Sequence, residues 1–324
     1  FWILKVVGWQ EIKDSLRIFT GWKGFIIVFL TLVIALVNNW KWREILRGEN
    51  IKISFGKLFS VYLAGYALMF LAPIIIWGGE ILRGYLLKKK NFIPWSKGMA
   101  SIVIDRIFEW TANLTVIILG ICFFLSKISI IPRNLEVLFG ILLFFFLAAI
   151  IYFYLKVFNK KSAIKSLAGF LGLKKIEEKS TLMETEKEIF LFFRIKNKFM
   201  WKALVLSFLH AAAMLARIWL AIVFLGKSIG LVQSLSILGF NYIAVMIPIP
   251  AALGSHEAIQ TLVFSALGLG RSNATAFAMI VRGAEIMLSL SGVAILFKLG
   301  VDFVKKLLFK EPGKIVDDSK NNSH

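Results

Sequence analysis

Long apolar runs, separated by basic clusters, set the pattern of this chain. A helix that crosses a bilayer needs about 20 predominantly apolar residues. Trp22–Trp40, Ser101–Leu125, Leu135–Leu155, Trp201–Leu225 and Ala274–Leu299 meet that requirement and are predicted to span. The apolar run Phe1–Val7 reads as the tail of a further helix. Two other apolar stretches, Leu58–Trp77 and Leu231–Ile247, end at proline-bearing sequence. Each is followed by a glycine and a short amphipathic segment, Gly79–Leu87 and Ser255–Leu267, and the latter is too short to cross.

These two irregular regions belong to an internal repeat. Pro73 and Glu80 recur as Pro250 and Glu257 at one common offset, and Arg106 and Glu109 recur as Arg282 and Glu285 at an offset one position shorter. A glycine precedes each first glutamate, Gly79 and Gly254, in a chain with only 6 prolines. Matching helix breakers in duplicated halves point to discontinuous helices at a transport site. Irregular backbone at membrane depth is tolerated where protein or a watery cavity satisfies its polar groups. Both regions are therefore predicted to be re-entrant helical hairpins, formed at Pro73 and Gly79 and at Pro248, Pro250 and Gly254. The fold class expected is an all-α polytopic membrane protein, an inverted repeat of spanning helices with two such hairpins. One transmembrane domain would cover 1–310, with halves at 22–155 and 201–299, a cytoplasmic loop at 156–200 and a disordered polar tail at 311–324. The loop's amphipathic stretch Ile189–Phe193 reads as a solvated or interface-lying helix.

Composition agrees. Hydrophobic residues make up 58% and charged residues 18%, against roughly 45–50% and 25% in soluble domains. A water-soluble globule, a disordered chain and a disulfide scaffold are excluded, and Cys122 has no second cysteine to pair with. The net charge of +20 would suggest nucleic acid in a soluble protein. In a membrane protein it sets orientation instead. With re-entrant hairpins, one side of the membrane receives 28 lysines and arginines and the other 6. That bias places the basic loops and C-terminus in the cytoplasm, against anionic lipid headgroups.

Catalytic motifs are not evident. His256-Glu257-Ala258-Ile259-Gln260 begins like a zinc-protease helix, but Gln260 stands where the second ligand must be. His256 reads instead as a hydrogen-bonding cap at the hairpin. No metal or cofactor is expected. The informative residues are charges inside spans: Arg106, Glu109, Arg217, Arg282 and Glu285. At about 2.5–3.5 kcal/mol each, five such groups cost on the order of 12–17 kcal/mol, so they must be paired or hydrated. Arg106 with Glu109, and Arg282 with Glu285, are i,i+3 neighbours. They are either structural ion pairs or the lining of a pathway. Glu80 and Glu257 begin short helices, where an acidic group interacts well with the dipole. Their shared offset predicts that they meet at one cavity. Arg83 has no basic counterpart, because Gln260 occupies that place.

Pro248-Ile-Pro250-Ala-Ala-Leu253-Gly254-Ser-His-Glu257, followed by Ala266-Leu-Gly268 and Arg282, resembles the transmembrane region of lysylphosphatidylglycerol synthases and their stand-alone flippase-like relatives. Pro73, Gly79-Glu80-x-x-Arg83 and Asp105-Arg106 are similar to that family's first motif. The chain differs in carrying Ala251-Ala252 where the family usually has two glycines, and in lacking an arginine within Ile74–Trp77. The resemblance implies a flippase-like domain that moves a phospholipid or lipid-linked phosphate-bearing molecule between leaflets. With only the short stretch 309–324 after Leu308, the synthases' aminoacyl-transferase domain is not expected, nor is enzymatic activity. Glu80, Arg83, Arg106, Glu109, Arg217, Glu257, Arg282 and Glu285 are the candidate translocation residues. Two other readings stay open: a secondary transporter of a small solute or ion, and a non-transporting membrane partner of a lipid-modifying or glycosyl transferase. Nucleic acid is not expected as a partner.

Overall fold

A computed structural model describes residues 21–71, 78–91, 93–127, 181–246 and 254–308, with some helical positions between 137 and 155. Among the described residues there are nine complete helices and no strand. They are α1 (Trp22–Gly48), α2 (Phe55–Leu71), α3 (Gly78–Asn91), α4 (Trp95–Lys127), α5 (Thr181–Phe192), α6 (Lys198–Phe224), α7 (Leu231–Met246), α8 (Ser255–Ala266) and α9 (Arg271–Leu308). Four are long and apolar enough to cross a bilayer: α1, α4 over Trp95–Leu125, α6, and α9 over Arg271–Lys298. The predicted span at 135–155 is only partly described, and its described positions are helical. The molecule is an all-α polytopic membrane protein.

Helix packing repeats the duplication seen in the sequence. Helices α1 to α4 correspond in order to α6 to α9. Exchanging the two sets maps each principal contact onto another: α4 on α7 becomes α9 on α2, and α2 on α3 becomes α7 on α8. Likewise α3 on α4 becomes α8 on α9, and α4 on α6 becomes α9 on α1. The axis of this exchange passes between α1 and α6, which pack against each other extensively. They run antiparallel: Trp22 meets Phe224, Thr31 meets Arg217, and Glu44 meets Lys202. Antiparallel counterparts require an inverted relation between the halves, with the axis perpendicular to the helices.

Each half folds a short helix pair. Helices α2 and α3 have 17 and 14 residues, and α7 and α8 have 16 and 12. Gly79 at the start of α3 lies against Gly65 and Met69, so α3 turns back along α2. A Cβ on Gly65 would stand 2.8 Å from the Gly79 carbonyl oxygen, so the close approach of these helices requires glycine. The connecting segments with Pro73, Pro248 and Pro250 lie outside the described residues. At α8, Gly254 takes φ 88°, and the Glu257 carboxylate accepts from its N–H at 2.6 Å. His256 hydrogen-bonds the Asn241 side chain on α7 and stacks on Phe277, a side-chain link between the hairpin arms; the backbone cap at this helix start is made by Glu257 instead.

The amphipathic loop helix is α5, and it docks rather than floats. Phe192 and Phe193 pack on Phe108 of α4. Asn197 joins α5 to α6, donating to the Phe192 carbonyl at 2.8 Å and accepting from Phe199 N–H at 3.0 Å. One helix boundary differs from the apolar pattern. Helix α1 continues past Trp40 to Gly48, and Lys41, a loop residue by that pattern, is fully buried. Arg83, also among the basic groups assigned to loops, turns inward as well. The positive-inside bias survives the removal of both.

Packing and burial set two expectations. A methyl on Gly292 would overlap the Leu63 carbonyl oxygen and Ala67, whereas one on Gly56 meets nothing within 4 Å. Gly292→Ala is therefore expected to lower the melting temperature of the detergent-solubilised protein, with a cost of about 1–3 kcal/mol. Gly56→Ala should stay within about 0.5 kcal/mol of the parent. Glu49, just past α1, is 6% exposed, and burial lifts its carboxyl from the usual 4.5 to about 8. Glu188 adds to the rise and Lys97 opposes it. The folded chain thus keeps a proton that the unfolded chain releases, so stability should fall as pH rises from 4.5 to about 8. Glu49→Gln should flatten that slope in a melting series and raise the melting temperature at the alkaline end.

Candidate functional site

The buried charges form two like clusters, one in each half. In the first, Glu109 on α4 lies 3.0 Å from Arg106 of its own helix and 3.8 Å from Lys41 on α1. In the second, Glu285 on α9 lies 2.7 Å from Arg282 of its own helix and 3.0 Å from Arg217 on α6. Lys41 and Arg217 are separated by the same offset as Arg106 and Arg282, and as Glu109 and Glu285. The repeated unit is thus a triad: one glutamate bridging an arginine on its own helix and a cation on the neighbour. Arg217 further donates to Thr31 Oγ1 at 3.0 Å.

The halves differ around these triads. The first adds Asp105, 2.9 Å from Lys41 and 3.8 Å from Arg83, and Glu80, 3.3 Å from Arg106. The second has Val281 at the position of Asp105 and Gln260 at that of Arg83. Glu257, the counterpart of Glu80, turns to the backbone N–H of Gly254. Arg282 has buried Nε and Nη2 groups without a hydrogen-bond partner among the described residues; Arg83 Nε and Nη1 and Arg106 Nε of the first half lack one as well, but those arginines have Asp105 at 3.8 Å and Glu80 at 3.3 Å.

An aromatic ladder runs along α2. Phe55, Phe59, Tyr62, Tyr66 and Phe70 stack in succession with ring centroids 5.8–6.3 Å apart. Arg83 lies 4.6 Å from the Tyr62 ring and 5.5 Å from Trp42, and Arg282 lies 5.8 Å from Phe70. The quadrupoles of these rings help to hold guanidinium groups that are taken out of water.

Between the clusters lies a cavity of about 530 Å³. Arg83, Arg106, Arg217 and Arg282 line it together with Glu109 and Glu285. Tyr62, Tyr66, Asn38, Asn241 and His210 add polar groups, and Met69, Met214 and Leu288 add apolar ones. The cavity wall thus carries four cations against two anions. With the ion-paired groups behind it, the set is Lys41, Arg83, Arg106, Arg217 and Arg282 against Glu80, Asp105, Glu109 and Glu285. Glu80 and Asp105 are not among the lining residues and pair with Arg106, Arg83 and Lys41, leaving a positive face toward the cavity. Such a face suits an anionic oxygen, since each guanidinium offers a planar fork of donors. A larger groove of about 810 Å³ near Arg43, Arg47 and Lys52 is more open, and its arginines already engage Ile53 and Glu44.

Six of the eight charged residues singled out from sequence line the cavity, and Glu80 reaches it through Arg106. Glu257 is not among the lining residues, and nothing among the described residues joins it directly to Glu80. Lys41 and Asp105 complete the first cluster and are additions. The spacing of Lys41 from Arg217, equal to that of the other triad members, is the signal that finds the former. Among the described residues, no group of three or more His, Cys, Asp or Glu side chains could hold a metal ion.

A membrane-spanning bundle of two like halves around a buried, arginine-lined cavity defines the class of this molecule: a multi-pass membrane protein with an internal polar site. The chain belongs to the lysylphosphatidylglycerol synthase TM region family, whose profile matches residues 1–292. It is 26% identical over 327 residues to a UPF0104 membrane protein of Methanothermobacter thermautotrophicus, covering 95% of this chain and 94% of that one. It is 25% identical over 299 residues to a UPF0104 membrane protein of Pyrococcus horikoshii, covering 86% and 88%. A UPF0104 membrane protein of Methanocaldococcus jannaschii is 23% identical over 325 residues, covering 96% and 94%. No solved structure matches the chain.

Because Glu285 serves two arginines, its loss should cost more than that of either partner. Glu285→Ala leaves Arg217 and Arg282 without their shared counter-charge, and breaking a buried pair costs about 3–5 kcal/mol. Arg282→Ala leaves Glu285 on Arg217 and should be the milder change. Adding Glu285→Ala to Arg282→Ala should not restore stability, since Arg217 is then stranded. Melting of the three purified variants checks the order.

Proposed function

We propose that this chain is a flippase-like protein that carries a phosphate-bearing lipid, or a lipid-linked phosphate, between leaflets without catalysing a reaction. The observation that carries this reading is the cavity wall of four arginines and two glutamates inside a bilayer-spanning bundle. Its volume of about 530 Å³ suits a headgroup and is too small for a whole phospholipid with both acyl chains. The headgroup would therefore enter while the chains remain in the bilayer. The family supports the same reading, because its description concerns the membrane region of a lipid synthase.

In this proposal Arg83, Arg106, Arg217 and Arg282 receive the phosphate, and Glu109 and Glu285 hold the arginines between loads. Glu80 completes the set as a counter-charge, and Glu257 serves its own helix end. The protein would lie in the cell membrane with its basic loops and C-terminus in the cytoplasm, where anionic headgroups surround it. A lipid-modifying or glycosyl transferase would be a suitable partner, supplying or consuming the cargo.

Reconstitution into liposomes tests this. With fluorescent lipids in both leaflets, an impermeant quencher should reach the inner-leaflet label faster than in protein-free vesicles, and faster for anionic headgroups. Arg282→Gln should slow transfer roughly ten- to hundred-fold, the scale of one charge-assisted hydrogen bond at about 1.5–3 kcal/mol. Transfer no faster than in empty vesicles would remove the proposal. The same cavity volume would accept a small anionic solute, so uptake of a soluble phosphate ester by the same vesicles decides between the two cargoes.

A further inference from the structure

We infer that the two halves carry a pair of equivalent phosphate seats, one on Arg282 and one on Arg106, and that the Arg106 seat is filled in this structure by the protein's own Glu80. The inference rests on the reading of the cavity as a site for an anionic headgroup and identifies where in it the phosphate binds.

The argument is the difference between two positions that the repeat makes equivalent. In the first half, Glu80 at the start of α3 places Oε1 3.3 Å from Arg106 Nε, an ion pair without hydrogen-bond geometry. This Nε too has no hydrogen-bond partner among the described residues; what differs is the carboxylate set against it. In the second half its repeat counterpart, Glu257, accepts from the backbone N–H of Gly254 at 2.6 Å instead. The corresponding edge of Arg282, its Nε and Nη2, is buried and has no hydrogen-bond partner among the described residues. Arg282 is 6% exposed and lines the cavity. Unpaired donors on a buried cation are costly, so they favour any anionic oxygen that can enter. A carboxylate and a phosphate present the same pair of acceptors to a guanidinium. The edge of Arg106 that holds Glu80 in one half is therefore, in the other, the edge open to a ligand.

The repeat also shows where the displaced carboxylate goes. Glu80 stands in the first turn of α3 as Glu257 stands in the first turn of α8. Helix N-termini stabilise negative charge, so Glu80 has a second resting place on its own helix. Moving Glu80 there opens the Arg106 seat. The inverted relation of the halves presents the two seats to the cavity in opposite senses, an arrangement suited to passing one headgroup from Arg282 to Arg106.

Binding stoichiometry tests this without a transport assay. The purified full chain in detergent is titrated calorimetrically with dihexanoyl-phosphatidylglycerol, a soluble monoanionic phospholipid, and separately with inorganic phosphate. The native chain should take one equivalent and Glu80→Gln two, while Glu80→Gln with Arg106→Gln returns to one. Binding of the lipid alone assigns the seats to a headgroup, and binding of both probes assigns them to the phosphate group itself. Glu80→Asp, which keeps a carboxylate for the helix terminus but is one methylene too short for Arg106, gives the same gain if the Gln variant folds poorly. Glu257→Gln should leave the count unchanged. A folded Glu80 variant that still takes one equivalent, as the native chain does, overturns the second seat and leaves the cavity reading standing. If neither the native chain nor the Glu80 variant binds either probe, the cavity reading itself falls.

Discussion

Two carboxylates, Glu109 and Glu285, each hold two cations from different helices, and much of the bundle is arranged around them. Each ties the long helix that bears it to the neighbour that crosses the axis, α4 to α1 and α9 to α6. In a bilayer an uncompensated charge is expensive, while association of helices gains little from hydrophobicity because lipid is equally apolar. Close backbone packing at Gly65, Gly120 and Gly292 and these shared ion pairs therefore supply much of the specificity of the fold. The outer faces can remain a featureless apolar surface, with Phe25, Val205 and Phe297 turned outward.

The spans and the repeat are legible in the sequence because they depend on periods that local sequence carries: runs of about 20 apolar residues, and helix breakers at a constant offset. Arg106, Glu109, Arg282 and Glu285 are legible for the same reason, being isolated charges within such runs. Lys41 is not. It follows Trp40 and precedes Arg43 and Glu44, so locally it reads as the first residue of a polar loop. Its burial depends on Asp105, on a different helix, and only the pairing makes a fully buried lysine tolerable there. Glu257 departs from its expected place in a related way. Its offset assigns it to the repeat, but whether a carboxylate turns to a cation or to its own helix end depends on the tertiary surroundings, which the offset does not carry.

The asymmetry of the halves carries as much meaning as their likeness. A repeat maintained for architecture alone has no need of Arg83 and Asp105 on one side against Gln260 and Val281 on the other. The first half is denser in charge and in aromatic support, with Arg83 set against Tyr62 and Trp42. The second is sparser in charge, and there Arg282 is held by Glu285 and steadied by Phe70 at the far end of the α2 ladder.

The imbalance of acids and bases around the cavity has an electrical consequence. Five bases stand against four acids there, one charge short of neutrality. Under the proposed function, one bound monoanion would cancel that excess, and the loaded site would feel little force from the membrane potential when it shifts as a body. The unloaded site would keep one positive charge, and moving it across the whole field would be worth about 2.3 kcal/mol per 100 mV. An interior-negative potential would then draw the empty site inward, so that the voltage of the cell would act on the return step and not on the carrying one.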